Sequence, residues 1–597
     1  MPKDYVNKDM IMTEQCNKPI PECQLEEAQK RIAHYWQTTQ NYITALEKKH
    51  NFEADQLLTL LPSGDTSLER FNNYQINALI FNTRLQFSPS VIVMCKHTDD
   101  VMHAYQEAIE HNLPIRVRSG GHDHEGECTG TDVVLLDLSG LKDFSIKKYN
   151  DDYIAHIGSG YRFYQLVPKL AKPDDKNIPP LTIPHGTCAT VGLAGYIQGG
   201  GWGPWTRAHG MCCESLVGAT VILQDGSKVN VSETEHSEIL WALRGGGALS
   251  YGIVTEFRVK AFELPEEIHR FEIHWNNHTG GSTDLKTWDL LTQWENAIND
   301  PSTEQLVGTN LKINAIPDKS VVCEKDLEHP STMYGYWQGT ESELLKFGKQ
   351  YFPTSKILVT GKDTKDSYSA ALMSDWSRNT LADLATVGVK QGLVTNANGT
   401  PFTPDFDAPA PHKITSKVVR ESGLTEQGQR QLLCSLTSSL LFDENAPLGL
   451  FSYVTLGAIA GKFYANDSSV GALRRVAFPY SKAQYIIQYQ TWWNTELKYD
   501  GQGDSKMLGQ ENPVYRFVNR ALDWIEVSRD TSIEGAYGAF ISFKDASIPT
   551  KTYFQESYEE LIRIKEKYSG FEVPLYCSGG KGVYINFNRL RTRKTII

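Results

Sequence analysis

The sequence predicts an α+β protein of two domains, the first of which the chain leaves and later re-enters, and three features carry that reading. The chain has 597 residues, more than one hydrophobic core usually organises. From about Ser88 short apolar strands alternate with helical segments, and glycines and small residues are dense from Gly158 to Gly252. From about Glu266 to Asp500 the texture changes to longer mixed segments rich in aromatics, and after Asp530 the strand-then-helix pattern returns. The expected organisation is an N-terminal helical extension over 1–76, a first domain over 77–262, a second over 263–505, and a C-terminal segment, 506–597, returning to the first.

The elements follow in chain order. After Pro21, apolar residues Leu25, Ala28, Ile32, Trp36, Ile43 and Leu46 recur at helical spacing and predict a helix over Leu25–Lys49. It is expected to lie outside the main body. Val91–Met94 reads as a strand, Val101, Ala104 and Ala108 as one helix face, and Ile115–Arg118 as the next strand. Further strands are expected at Val133–Asp137 and Ile154–Ile157, and a hairpin over Val217–Val231 turning at Asp225-Gly226. Leu561, Ile564 and Tyr568 place a helix over Tyr558–Tyr568.

Composition excludes several classes. A formal net charge of -12 argues against a phosphate-backbone surface and so against nucleic acid. No apolar run approaches the roughly 18 residues of a membrane span. The first ten residues carry charge where a signal peptide needs its apolar core. A cytoplasmic location is therefore expected, with export by a non-Sec route left open. The 10 cysteines form no CxxC pair, so no metal framework is expected. Oligomeric state has no signature in the sequence.

Two segments carry the chemistry. In the first, Arg116-Val-Arg118-Ser119-Gly120-Gly121-His122-Asp123-His124-Glu125-Gly126, a strand runs into Ser-Gly-Gly. Successive backbone N–H groups there suit one anion, with Arg116 or Arg118 adding charge: a diphosphate cradle. It is neither a GxGxxG turn opening a helix nor a GxxxxGK[ST] loop. The second runs Pro184-His-Gly-Thr-Cys188-Ala-Thr190-Val191-Gly192-Leu-Ala-Gly195-Tyr-Ile-Gln-Gly199-Gly200-Gly201-Trp-Gly203. Small residues around one cysteine suit close approach of backbone to an extended planar ligand. Gly252-Ile253-Val254, after Arg244-Gly-Gly-Gly247, repeats the theme. Taken singly, such a histidine is more often a surface or capping residue and such a cysteine more often packing, and His122 with His124 also suits half a metal site.

In register, these residues resemble the berberine-bridge-enzyme-like FAD-linked oxidases, within the vanillyl-alcohol-oxidase superfamily. The matching stretches are Arg118-Ser-Gly-Gly-His122, Gly186-x-Cys188-x-Thr190-Val-Gly192, Gly199-Gly-Gly201, Trp241-Ala-Leu-Arg-Gly-Gly-Gly247 and Gly252-Ile-Val254. Ala477-Phe-Pro479 and Tyr485-Ile-Ile-Gln-Tyr489 extend the likeness, which is collinear from about Phe87 to Tyr568. The resemblance implies a PCMH-type FAD-binding domain of two α/β subdomains and a substrate domain whose antiparallel sheet is covered by helices. It also implies FAD held by two covalent bonds, through His122 and Cys188. A flavin so attached is a stronger hydride acceptor, fixed in an open pocket. The partners implied are a small polar substrate, a sugar or oligosaccharide above all, and molecular oxygen. Val191 falls where the family faces the flavin's oxygen-reactive edge; simple packing beside Gly192 is the equal alternative.

Oxidising an alcohol needs a base for the hydroxyl proton, and here the sequence departs from the family. Where the sugar oxidases carry a tyrosine, the expected strand Ala539–Asp545 offers Phe540, which takes no proton. The candidates are Tyr584, in Tyr-Ile-Asn-Phe587, then Tyr489 and Tyr485, and His124, which replaces a tyrosine two residues after the flavin-linked histidine. Two rival functions share the fold: an oxidative tailoring enzyme of an alkaloid or polyketide, and a flavin-binding protein that has lost catalysis.

Overall fold

The computed structural model describes residues 22–60, 67–248, 250–275, 285–318, 324–364, 409–443, 450–465, 475–493 and 513–569. Its first sheet comprises β1 (Leu57–Leu58), β2 (Val91–Met94), β3 (Ile115–Arg118) and β4 (Val134–Asp137), in the order β1-β2-β4-β3. The last three are parallel. Val91, Ile92 and Val93 are all fully buried, which is why β2 reads as an unbroken apolar run rather than an alternation.

The helix Glu22–His50 corrects the expectation of a separate extension. Its Tyr42, Ile43 and Leu46 share one core with Val101, Ala104 and Tyr105 of the helix Thr98–Glu110 and with Val93. Earlier on the same predicted face, Ile32 and Trp36 are exposed.

A second sheet holds β5 (Phe144–Tyr149), β6 (Asp152–Gly158), β7 (Leu181–Thr182), β8 (Leu216–Ile222), β9 (Lys228–Ser232) and β10 (Ile253–Glu263), ordered β5-β6-β10-β8-β9 with β7 also on β10. The β8–β9 hairpin turns at Asp225-Gly226, where Gly226 has φ +82°, a conformation glycine adopts without strain.

The chain then passes to a third sheet: β11 (Glu267–Trp275), β12 (Leu306–Asn314), β14 (Ser331–Gln338), β15 (Lys356–Thr364), β16 (His412–Val419), β18 (Leu450–Ala458), β19 (Tyr485–Trp493) and β20 (Ala536–Tyr537). Short β13 (Ile316–Pro317) and β17 (Thr437–Ser438) pair separately. The order is β15-β11-β14-β12-β18-β19-β16-β20, antiparallel at every pairing. Helices Thr287–Asn299, Glu341–Tyr351, Glu426–Ser435 and Pro513–Asp530 cover one face, through Trp294, Leu344, Leu432 and Trp524. Because Trp524 lies in that core, the helix Pro513–Asp530 belongs with the second domain, and the expected boundary at 506 moves downstream. The return to the first domain comes with Ala539 and Phe540, which join the core of Ile197 and Trp205.

The strand expected over Ala539–Asp545 is instead a 3-10 turn, Ile541–Phe543. Side chains take the donors that a ladder would have used: Tyr480 Oη accepts from Ala539 N–H (3.1 Å) and Ser416 Oγ from Phe540 N–H (3.0 Å). Among the described residues no helix is long and apolar enough to cross a membrane.

Candidate active site

The two glycine-rich segments meet back to back. A Cβ on Gly120 would lie 2.4 Å from Gly192 N, and one on Gly192 would lie 2.7 Å from Gly120 N. No side chain fits there, so bare backbone lets the loops touch. The contact sets His122 and Cys188 on the wall of one cavity of ≈ 290 Å³, together with Ser119, Gly120, Gly121, Asp123, Val191, Gly192, Gly195, Gly199, Ile253 and Val254. At Gly195 a side chain would meet only open space; its absence keeps the cavity wide.

Asp123 Oδ1 accepts from the N–H groups of Glu125 and Glu127, both at 3.0 Å, and Gly126, at φ +71° and packed on Phe87, completes the turn. The N–H groups of Gly120, Gly121 and His122 donate to no protein acceptor among the described residues. Beside the apolar floor of Val117, Leu138, Ile253 and Val254, this wall of unspent donors and missing side chains fits a group with both a diphosphate and a flat ring.

Several expected cofactor residues stand elsewhere. Arg118 does not reach the cavity: its guanidinium pairs with buried Asp137 (Nη2–Oδ2 2.6 Å) and donates to Leu79 O. Arg116 donates to Ile115 O and is not on the wall either. The charge expected from either arginine is therefore absent from the cradle, which has backbone donors instead. Gly126, Gly200, Gly201 and Gly252 shape turns, with φ of +71°, +111°, +83° and +133°; they lie behind the wall. Thr190 also stands behind it, with Oγ1 2.8 Å from His122 Nε2.

His122 stacks on Phe81, with ring centroids 3.9 Å apart. Burial first, then the nearby charge of Arg162, holds its imidazole well below the usual range.

The second domain supplies the opposite wall. Antiparallel strands alternate their side chains between faces, and on β19 that parity places Gln488, Gln490 and Trp492 at the cavity with Asn310 of β12 and Thr455 of β18. Gln490 Nε2 donates to Thr455 Oγ1 (3.0 Å) and Trp492 Nε1 to Gln490 Oε1 (2.9 Å). Among the described residues, Asn310 Oδ1, buried on this wall, has no hydrogen-bond partner.

The same parity overturns two candidate bases. Tyr485 and Tyr489 point to the helix-covered face, where Tyr485 Oη donates to Glu295 and Tyr489 Oη lies 2.7 Å from Ser435 Oγ. Burial pushes both phenols up. Phe540 is likewise off the cavity, its ring packed on Phe543 and Phe478. Tyr584 lies outside the described residues. Of the candidate bases, His124 lines the cavity. Sequence reasoning missed its partner His412, whose Nε2 is 2.8 Å from His124 Nδ1, and also Asn310, Thr455 and Gln490. Only the alternation in Ile486-Ile-Gln-Tyr-Gln490 held a signal for any of these.

Comparison with known proteins agrees with this architecture. An FAD-binding-domain model matches residues 89–232. A glucooligosaccharide oxidase of Sarocladium strictum is 33% identical over 226 residues, which are 37% of this chain and 44% of that protein's length. Among solved structures, BBE-like 1 of Physcomitrella patens superposes with a TM-score of 0.62 at 20% identity, over 86% of this chain and 94% of that one. A glucooligosaccharide oxidase from Acremonium strictum, described as carrying 6-S-cysteinyl, 8α-N1-histidyl FAD, gives 0.61 at 20%, over 83% and 92%. The class so defined is that of proteins with an FAD-binding domain on this fold. Within it, the chain is similar to berberine-bridge-enzyme-like proteins and to FAD-linked oligosaccharide oxidases.

Proposed function

We propose that this chain is an FAD-linked oxidase whose flavin is joined to His122 and Cys188, and that it oxidises a hydroxyl group of a carbohydrate. The observation that carries the reading is that His122 and Cys188 share one cavity with an uncharged polar wall, Asn310, Thr455, Gln488 and Gln490. Such a wall offers donors and acceptors to a hydroxyl-rich substrate, which favours a sugar or oligosaccharide.

Bound FAD supplies a hydride acceptor and, through oxygen, a route to hydrogen peroxide. The protein's part is positioning. His122 and Cys188 hold the flavin ring; the N–H groups of Gly120, Gly121 and His122 meet the diphosphate; the amide wall turns one substrate hydroxyl toward the ring. The net change is substrate alcohol plus oxygen to carbonyl plus hydrogen peroxide.

Purified protein should keep its yellow colour through acid or urea denaturation, and a screen of mono- and oligosaccharides should find peroxide release. Colour that washes out of the denatured wild type would defeat the covalent attachment. Anaerobic colour that no sugar bleaches would defeat the substrate class.

A further inference from the structure

We propose that buried His412 fixes the tautomer of His124, so that His124 presents an unprotonated Nε2 to the cavity as the acceptor of the substrate's hydroxyl proton. This rests on the flavin-oxidase reading for the identity of the substrate, but the histidine pair is defined by the fold itself.

The two rings come from distant parts of the chain and are clamped. Buried Asn82 donates from Nδ2 to His124 O (2.7 Å) and accepts at Oδ1 from His412 N–H (3.2 Å). His412 is the first residue of β16; its ring lies against Trp492 at 3.9 Å and leans on Phe81 at 5.8 Å. Its Nδ1 is 2.8 Å from Ala410 O. A carbonyl only accepts, so Nδ1 carries the proton. Protonating Nε2 as well would make a buried cation, and the groups around this ring, His124, Arg84 and His122, all oppose that charge. His412 Nε2 is therefore an acceptor.

The 2.8 Å contact between the rings must then be a hydrogen bond donated by His124 Nδ1–H. A neutral imidazole holds one proton, which leaves the Nε2 of His124 as a lone pair. Among the described residues that atom makes no hydrogen bond, and it is not sealed from the cavity. The charged groups facing His124 are Asp123 and Lys413, which act in opposite directions; burial dominates and lowers its pKa to about 4. The acceptor is thus neutral at physiological pH. On reaction the substrate O–H bond breaks and its proton passes to His124 Nε2, while the carbon-bound hydrogen leaves with its electron pair to the FAD of the proposed function. His124 is the catalytic residue in this scheme and His412 a positioning residue.

The test combines a spectrum with kinetics. Long-range ¹⁵N–¹H correlation of holoprotein labelled with ¹⁵N-histidine, assigned with His124→Gln and His412→Gln, should show both rings as Nδ1–H tautomers. An Nε2–H tautomer at His124 overturns the proposal whatever becomes of the flavin reading. In stopped-flow reduction by an active sugar, His412→Phe should lower the limiting rate about 10²- to 10⁴-fold, as loss of the correct tautomer does elsewhere, with little change in the substrate concentration giving half the rate. His412→Gln, whose Oε1 can still accept from His124 Nδ1–H, should recover most of it. Equal rates for wild type and His412→Phe, or failure of Gln to improve on Phe when both variants keep flavin and melting temperature, would also overturn it.

Discussion

At the scale of single residues, the proposed flavin anchors give the most direct expectation. His122→Ala and Cys188→Ala should each leave an adduct with one bond, read as retained flavin mass on the matching tryptic peptide, and the double variant should lose flavin on denaturation. Val191, on the cavity wall, tests oxygen access: Val191→Ile should slow re-oxidation by air and leave anaerobic bleaching nearly unchanged, since one methylene can fill a small apolar space. Tyr489→Phe should cost about 1 kcal/mol in urea unfolding for its lost bond to Ser435 and leave flavin reduction intact; a collapse of reduction would restore it as a base. That tyrosine shows where reading from sequence stops. Residues on both faces of β19 are buried, so Tyr485, Ile487, Tyr489 and Ile486, Gln488, Gln490 are equally plausible cavity sets until the sheet's neighbours are known.

Elements were legible where their signal is local. The runs at Val91–Met94 and Ile115–Arg118, the hairpin turn at Gly226 and the helix from Tyr558 each follow from a window of a few residues. The segment Ala539–Asp545 was not, because its donors are met by Tyr480 and Ser416 from elsewhere in the chain rather than by a partner strand. The touching glycines are the element-scale test of the site. Gly120→Ala puts a Cβ 2.4 Å from backbone of the facing loop, which has no flexible end to yield. We expect a loss of roughly 2 kcal/mol or more together with reduced flavin content, whereas Gly195→Ala, facing open space, should fold normally and hinder only flavin uptake.

At the scale of the whole molecule, buried histidines make stability depend on pH. Burial holds His185, His209 and His329 near 4, against about 6.5 when unfolded. The unfolded chain therefore binds these protons first as pH falls. Their contribution is complete above pH 6.5 and is lost progressively between about 6.5 and 4, by roughly 1–3 kcal/mol for each. Urea midpoints should be flat from pH 8 to 7 and fall steeply from 6 to 4.5. His209→Gln, removing the ring stacked on Phe262, should make the fall shallower; an unaltered slope would assign the effect to other groups. None of these environments is written locally in the sequence, and neither is the approach of His124 to His412, 288 residues away.

The cavity wall runs from Phe81 to Lys544 in the chain, and this bears on when the protein can mature. A growing polypeptide can finish its first two sheets once residue 263 has emerged, yet the far wall waits for β19 and for the turn at Ile541–Phe543. Covalent capture of a cofactor in a completed cavity would then be a late, post-translational event. Pigmentation would serve as a built-in certificate of correct assembly: in pulse-labelled cells, colour should trail synthesis, and chains halted before residue 485 should stay colourless while still protecting the Val91–Asp137 sheet from protease.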